Sequence, residues 1–213
     1  SFKSRQARLL SVKNLYRKGL WLEYFTVGYN VLEAILAITF GSLNNSIALI
    51  GFGLDSIVES LSGLVLIWRL QQHNRLDREI EEKIERQATK LVAITFWILG
   101  IYVLFESGKK LITQEVAQPS IVGILLAIAS LIIMPILAWQ KYKTGKAIDS
   151  KALIADSKET LVCSWLSLAL LVGLSCYYWF GLWQADPLVG LTIVIFLLKE
   201  GWEICSEADD REE

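Results

Sequence analysis

Cysteine is scarce and odd in number. Cys163, Cys176 and Cys205 all lie in or beside apolar runs, which excludes a disulfide framework. A surplus of positive charge is also lacking. The net charge of -1 supplies no basic field for phosphates, so a nucleic-acid partner is excluded. No cleavable signal peptide is expected, because the first 18 residues are basic and mixed and no apolar core precedes a small-residue cleavage site. Histidine occurs once, at His73. No room is expected for a soluble domain beside the apolar segments.

What is present is apolar sequence. The 213 residues are 54% hydrophobic, with a mean hydropathy of +0.44, above the ~45–50% of ordinary soluble domains. Charges collect in short clusters between apolar runs of roughly 20 residues, the length that spans a bilayer as a helix. The expected fold is all-α: a polytopic membrane bundle of six helices, near Leu20–Phe40, Ser46–Leu70, Leu91–Leu111, Ser120–Trp139, Ala152–Phe180 and Pro187–Cys205. The division expected is a basic amphipathic segment (1–19) suited to the membrane surface or to water, a transmembrane domain (20–205) and a short acidic tail (206–213). Asp186-Pro187 reads as a helix start, with Asp as N-cap and Pro at the first helical position. Trp21, Trp139, Trp179 and Trp183 suit interfacial anchors. Lys and Arg crowd the N-terminus (Lys3, Arg5, Arg8, Lys13, Arg17, Lys18), the loop after helix 2 (Arg69, Arg75, Arg78, Lys83, Arg86, Lys90) and the loop after helix 4 (Lys141, Lys143, Lys146, Lys151). The opposite side has Lys109 and Lys110. This asymmetry predicts that both termini are cytoplasmic, and the expected location is the cell (inner) membrane.

An internal repeat carries the most information. The segment from Ser46 to Ser60 aligns with that from Ser150 to Ser164. Ala48, Leu49 and Ile50 match Ala152, Leu153 and Ile154, Asp55 falls on Glu159, and Glu59 falls on Cys163. One copy opens helix 2 and the other helix 5, so they cross the membrane in opposite directions. An inverted repeat with polar groups near the midplane is a transporter signature.

Asp55 and Glu59 share one helix face, with Cβ atoms roughly 5–6 Å apart. Asp55 lies about nine residues into its helix, near ~14 Å of depth. Carboxylates at that depth cost several kcal/mol each unless paired or neutralised, and a divalent cation neutralises two. Glu159 and Cys163 repeat the spacing on helix 5, with Asp156 one turn earlier. Four O and S donors suit a tetrahedral ion such as Zn²⁺. Asn30 and Glu33 share a face of helix 1, where Glu33 orients the site or bonds a neighbouring helix; Glu106 in helix 3 has the same two readings. His73 and Asp77 have a spacing that suits either a second metal or a solvated surface pair. No catalytic constellation is present, so an enzyme is not expected.

These motifs together resemble the cation diffusion facilitator family: Asn30-x-x-Glu33, Ser46-Ile-Ala-Leu-Ile, Asp55-x-x-x-Glu59, Ala155-Asp156-x-x-Glu159-x-x-x-Cys163, and Asp186-Pro187-Leu-Val-Gly190. The resemblance covers nearly the whole chain. It implies export of a divalent metal, zinc first and Mn, Fe or Co as alternatives, in exchange for protons, by a homodimer in the lipid bilayer. Carried onto this sequence, the implied metal ligands are Asp55, Glu59, Glu159 and Cys163, with Asp156, Asn30, Glu33, His73 and Asp77 as accessory candidates. The family's usual histidines are missing from the four ligand positions; oxygen donors favour harder ions and the thiolate softer ones. Lys158, beside Glu159, is read as snorkelling toward the cytoplasm or as a counter-charge for the empty site. The family's usual C-terminal cytoplasmic domain is not in this sequence. The rival expectation is a non-transporting metal sensor or regulatory membrane partner.

Overall fold

Among the described residues, the apolar runs fold as six helices in the computed structural model: α1 Phe2–Leu43, α2 Ile47–Gln71, α3 Arg78–Thr113, α4 Ile121–Ile148, α5 Lys151–Phe180 and α6 Ala185–Asp209. The structure describes residues 2–43, 47–73, 77–116 and 120–210, without the side chains of 2–4 and 47–48. Ser46, Arg75 and the Lys3 side chain lie outside the described residues. No strand occurs among them. Among the described residues, five helices are long and apolar enough to cross a membrane. The sixth, α6, carries Asp186, Lys199, Glu200 and Glu203 and packs along α3.

Large apolar side chains cover the outside of the bundle and charged ones lie within it, beside an apolar core that includes Phe96, Leu99 and Leu153. Ile112 and Ile121 are 85% and 78% exposed, and Phe105, Ile195 and Trp202 also face outward, whereas Glu23, Asn30, Asp55, Glu59, Lys141, Asp156 and Glu159 are buried. In water this arrangement would forfeit burial energy on both counts. In a bilayer the apolar exterior is solvated by lipid, and polar groups turn toward the bundle interior.

Several sequence-based bounds need correction. The basic leader is continuous with the first span: α1 runs unbroken for 42 residues, ~63 Å at 1.5 Å per residue, so it outreaches a bilayer core. Helix 4 continues past Trp139 to Ile148, bringing Lys141 inside. Asp186 does not cap α6, whose N-cap is Gln184; it pairs instead with Lys110 at 2.9 Å. The acidic tail is helical to Asp209 and tied back by Lys90–Asp209 and Lys151–Glu207 contacts of 2.5 and 3.5 Å.

Helices pair α1 with α2, α3 with α6 and α4 with α5, while α2 and α5 also touch each other and α3. Close approach of α1 and α2 depends on small residues. A Cβ on Gly53 would meet Ile38 at 2.7 Å and the Ala34 carbonyl at 3.2 Å, and one on Gly63 would meet Val27 at 2.6 Å and Glu23 at 3.2 Å. The basic end is held by Glu85 of α3. It accepts from Ser150 Oγ at 2.8 Å and Ala152 N at 3.0 Å and pairs with Arg69 of α2. Ser150 in turn caps α5 through Leu153 N.

Candidate functional site

Alternation of buried and lipid-facing positions points Asp55 and Glu59 of α2 and Glu159 and Cys163 of α5 inward, and all four are buried. The two helices run antiparallel. Ser62 reaches Asp156, Glu59 lies against Cys163, and Asp55 shares a cavity wall with Leu166 and Ala169. The copies of the repeat therefore face each other head to tail.

Much of this layer is unpaired. Asp55 Oδ1, both Glu59 oxygens and Glu159 Oε1 are buried without a hydrogen-bond partner. Glu159 Oε2 sits 2.7 Å from Thr95 Oγ1. That hydroxyl also lies 2.6 Å from the Val92 carbonyl. It has one proton for two acceptors, so a proton on Glu159 would complete the contact. The four candidate ligands do not form a ready cage: among the described residues, no group of three or more His, Cys, Asp or Glu side chains is gathered to hold a metal ion.

A cavity of about 70 Å³, bordered by Asp55, Tyr102, Glu106, Ser107, Lys110 and Asp186, leads from this layer toward the α3–α6 end. It has room for several waters. Lys110 stands between Asp186 at 2.9 Å and Glu106 at 3.6 Å, so Glu106 belongs to the mouth rather than to the ligand layer.

The accessory candidates fall elsewhere. Glu33 accepts hydrogen bonds from Ser56 at 2.7 Å and Ser130 at 2.8 Å, linking α1, α2 and α4. Asn30 is buried beside it with both side-chain atoms unpartnered. Asp156 is engaged by Lys141 at 2.8 Å and Ser62 at 2.5 Å. His73 follows the end of α2 at Gln71, and Asp77 precedes the start of α3 at Arg78. His73 bonds Glu81 at 2.8 Å and stacks on Tyr16 at 3.4 Å. Lys158 neither snorkels freely nor faces the ligand layer; it pairs with Glu200 of α6 at 2.8 Å.

Sequence reasoning missed Glu23, Lys141 and Thr95. Lys141 reads as a loop charge beside Lys143 and Lys146. A signal was present in the stripe Ala127, Ser130, Met134, Leu137, Ala138, Lys141, all buried on α4 at helical spacing, which continues the inward face through Lys141.

A family model described as the cation efflux transmembrane domain matches residues 24–208. Transmembrane protein 163 of Xenopus laevis is 24% identical over 192 residues, covering 89% of this chain and 66% of that protein. An uncharacterised transporter of Synechocystis is 25% identical, with 78% and 55% covered. Magnetosome protein MamB of Magnetospira is 23% identical, with 88% and 64% covered. The chain thus spans between 55% and 66% of the length of these relatives.

Proposed function

Since the chain belongs to the cation efflux family, whose members are integral membrane proteins, we propose that it exports a divalent metal, zinc first, from the cytoplasm in exchange for protons. Asp55, Glu59, Glu159 and Cys163 bind the ion, and the bundle rocks to expose them to either side in turn. One observation carries this reading: four buried carboxylate oxygens in the α2–α5 layer without a hydrogen-bond partner. Unpaired charge there is costly, and either protons or a metal ion removes the cost. Ligands must shed protons to bind metal, so the two compete for the same atoms.

In this reading the basic end is cytoplasmic, and the cavity at Asp55 opens to the opposite side. The ion draws the four side chains together on binding, since they are not gathered beforehand. Assembly as a homodimer and residence in the inner membrane belong to the same proposal. One observation favours a rival: the missing cage also suits a sensor that binds metal without moving it.

Proteoliposomes with an imposed pH gradient test both. Metal flux that follows the gradient for Zn²⁺, Mn²⁺, Fe²⁺ or Co²⁺ supports export and ranks the ions. Binding without flux in folded protein supports the sensor.

A further inference from the structure

On the basic side of the ligand layer lies a second polar cluster. Lys141 is fully buried, as are Glu23 and Asp156. Its ammonium donates to Asp156 Oδ2 at 2.8 Å and Thr160 Oγ1 at 3.0 Å and stands 3.3 Å from Glu23 Oε1. Ser62 holds the other Asp156 oxygen. Glu23 is different: neither of its buried oxygens receives a hydrogen bond, although one points at the ammonium. Gly63 gives the Glu23 carboxylate space, since a Cβ there would come within 3.2 Å of Oε2.

With both carboxylates ionised, one ammonium between them leaves a net charge of about -1 in a dry interior, which is expensive and which a proton on Glu23 relieves. A divalent cation in place of the ammonium would balance both carboxylates. Hydroxyls of Ser62 and Thr160 and the Glu23 oxygens are hard donors suited to such an ion. The cluster also adjoins the transport layer. Ser62 is three residues beyond Glu59 and Asp156 three before Glu159, a separation of ~4.5 Å along each helix. Glu59 is within electrostatic reach of both Lys141 and Asp156.

We propose that Glu23 and Asp156 form a second binding site for the divalent cation, on the cytoplasmic approach to the α2–α5 layer, and that the Lys141 ammonium fills it when metal is absent. This inference rests on the transport reading. The incoming ion displaces the ammonium toward Glu59, within whose electrostatic reach it lies, occupies the dicarboxylate site and then exchanges places with it, one helical turn on. The returning ammonium closes the path behind it.

The test counts Zn²⁺ bound to the purified chain by equilibrium dialysis. Lys141→Met should hold one more ion per chain than the unsubstituted protein, and Lys141→Met with Glu23→Gln should lose that ion. An unchanged count in monodisperse Lys141→Met protein overturns the proposal. Should Lys141→Met not fold, Glu23→Gln with Lys141 retained decides in proteoliposomes. Half-maximal Zn²⁺ flux should then require about tenfold more metal, with the maximal rate within about twofold, and an unchanged half-maximal concentration overturns the proposal. Failure of the transport reading looks different: the unsubstituted protein shows no flux, while the difference in ion count between the folded variants still decides the second site.

Discussion

Ser62 of α2 donates a 2.5 Å hydrogen bond to Asp156 of α5, joining the two copies of the repeat through residues outside the aligned carboxylate pair. The contact fixes the antiparallel register that sets Glu59 against Cys163. It also commits Asp156 to the Lys141 cluster. The repeat thus yields two polar layers: one of unpaired ligand candidates, the other of paired charges.

Asp55→Asn is expected to abolish metal flux while the protein remains folded. The substitution keeps shape and removes charge at a position with an unpartnered oxygen, so no native ion pair is broken. Proteoliposome flux beside size-exclusion behaviour checks this. Normal flux from a monodisperse variant would remove Asp55 from the site.

Cys163→Ser should turn selectivity toward harder ions, raising Mn²⁺ over Zn²⁺ in competition, since a thiolate donor is replaced by oxygen. Flux ratios for the two ions in one vesicle population measure it. An unchanged ratio assigns Cys163 to packing alone.

Metal affinity should rise with pH. Carboxylates and thiol must lose protons to bind, so each proton released on binding makes affinity steeper in pH. Zn²⁺ titrations at several pH values give the slope. A flat profile would separate metal binding from proton exchange.

Glu85→Gln should destabilise the bundle without touching the ligand layer. It leaves the Arg69 guanidinium, itself buried, without its main counter-charge. Loss of one partner of a buried pair costs about 3–5 kcal/mol, or roughly 6–20 °C in Tm for a chain of this size. Thermal unfolding in detergent measures the shift. A change below about 2 °C would show that Glu81, 3.5 Å from Arg69, suffices.

Leu170→Cys, lining the cavity beside Asp55, should react with a membrane-impermeant thiol reagent added on the face opposite the basic loops, in a Cys176→Ser, Cys205→Ser background. Labelling from the basic face alone would reverse the direction in which the cavity opens.

The sequence by itself determined the all-α class, the six helices and the candidate α2 and α5 carboxylates. Apolar runs of bilayer length and charge clusters between them are local signals, and a period of four is visible without coordinates. The inverted repeat was legible for the same reason: it is a comparison of the chain with itself. Tertiary structure alone decided which buried charges have partners. Lys141 lies about two helical turns inside the end of α4, in a stretch that reads as loop, and its neighbours Glu23 and Asp156 come from helices far apart in sequence. Only packing brings them within 3.3 Å. Likewise His73 bonds Glu81 from the far side of the α2–α3 connection, and Lys158 finds Glu200 rather than the site beside it. Ion pairing depends on distance in space and on desolvation, and neither is encoded in spacing along one helix.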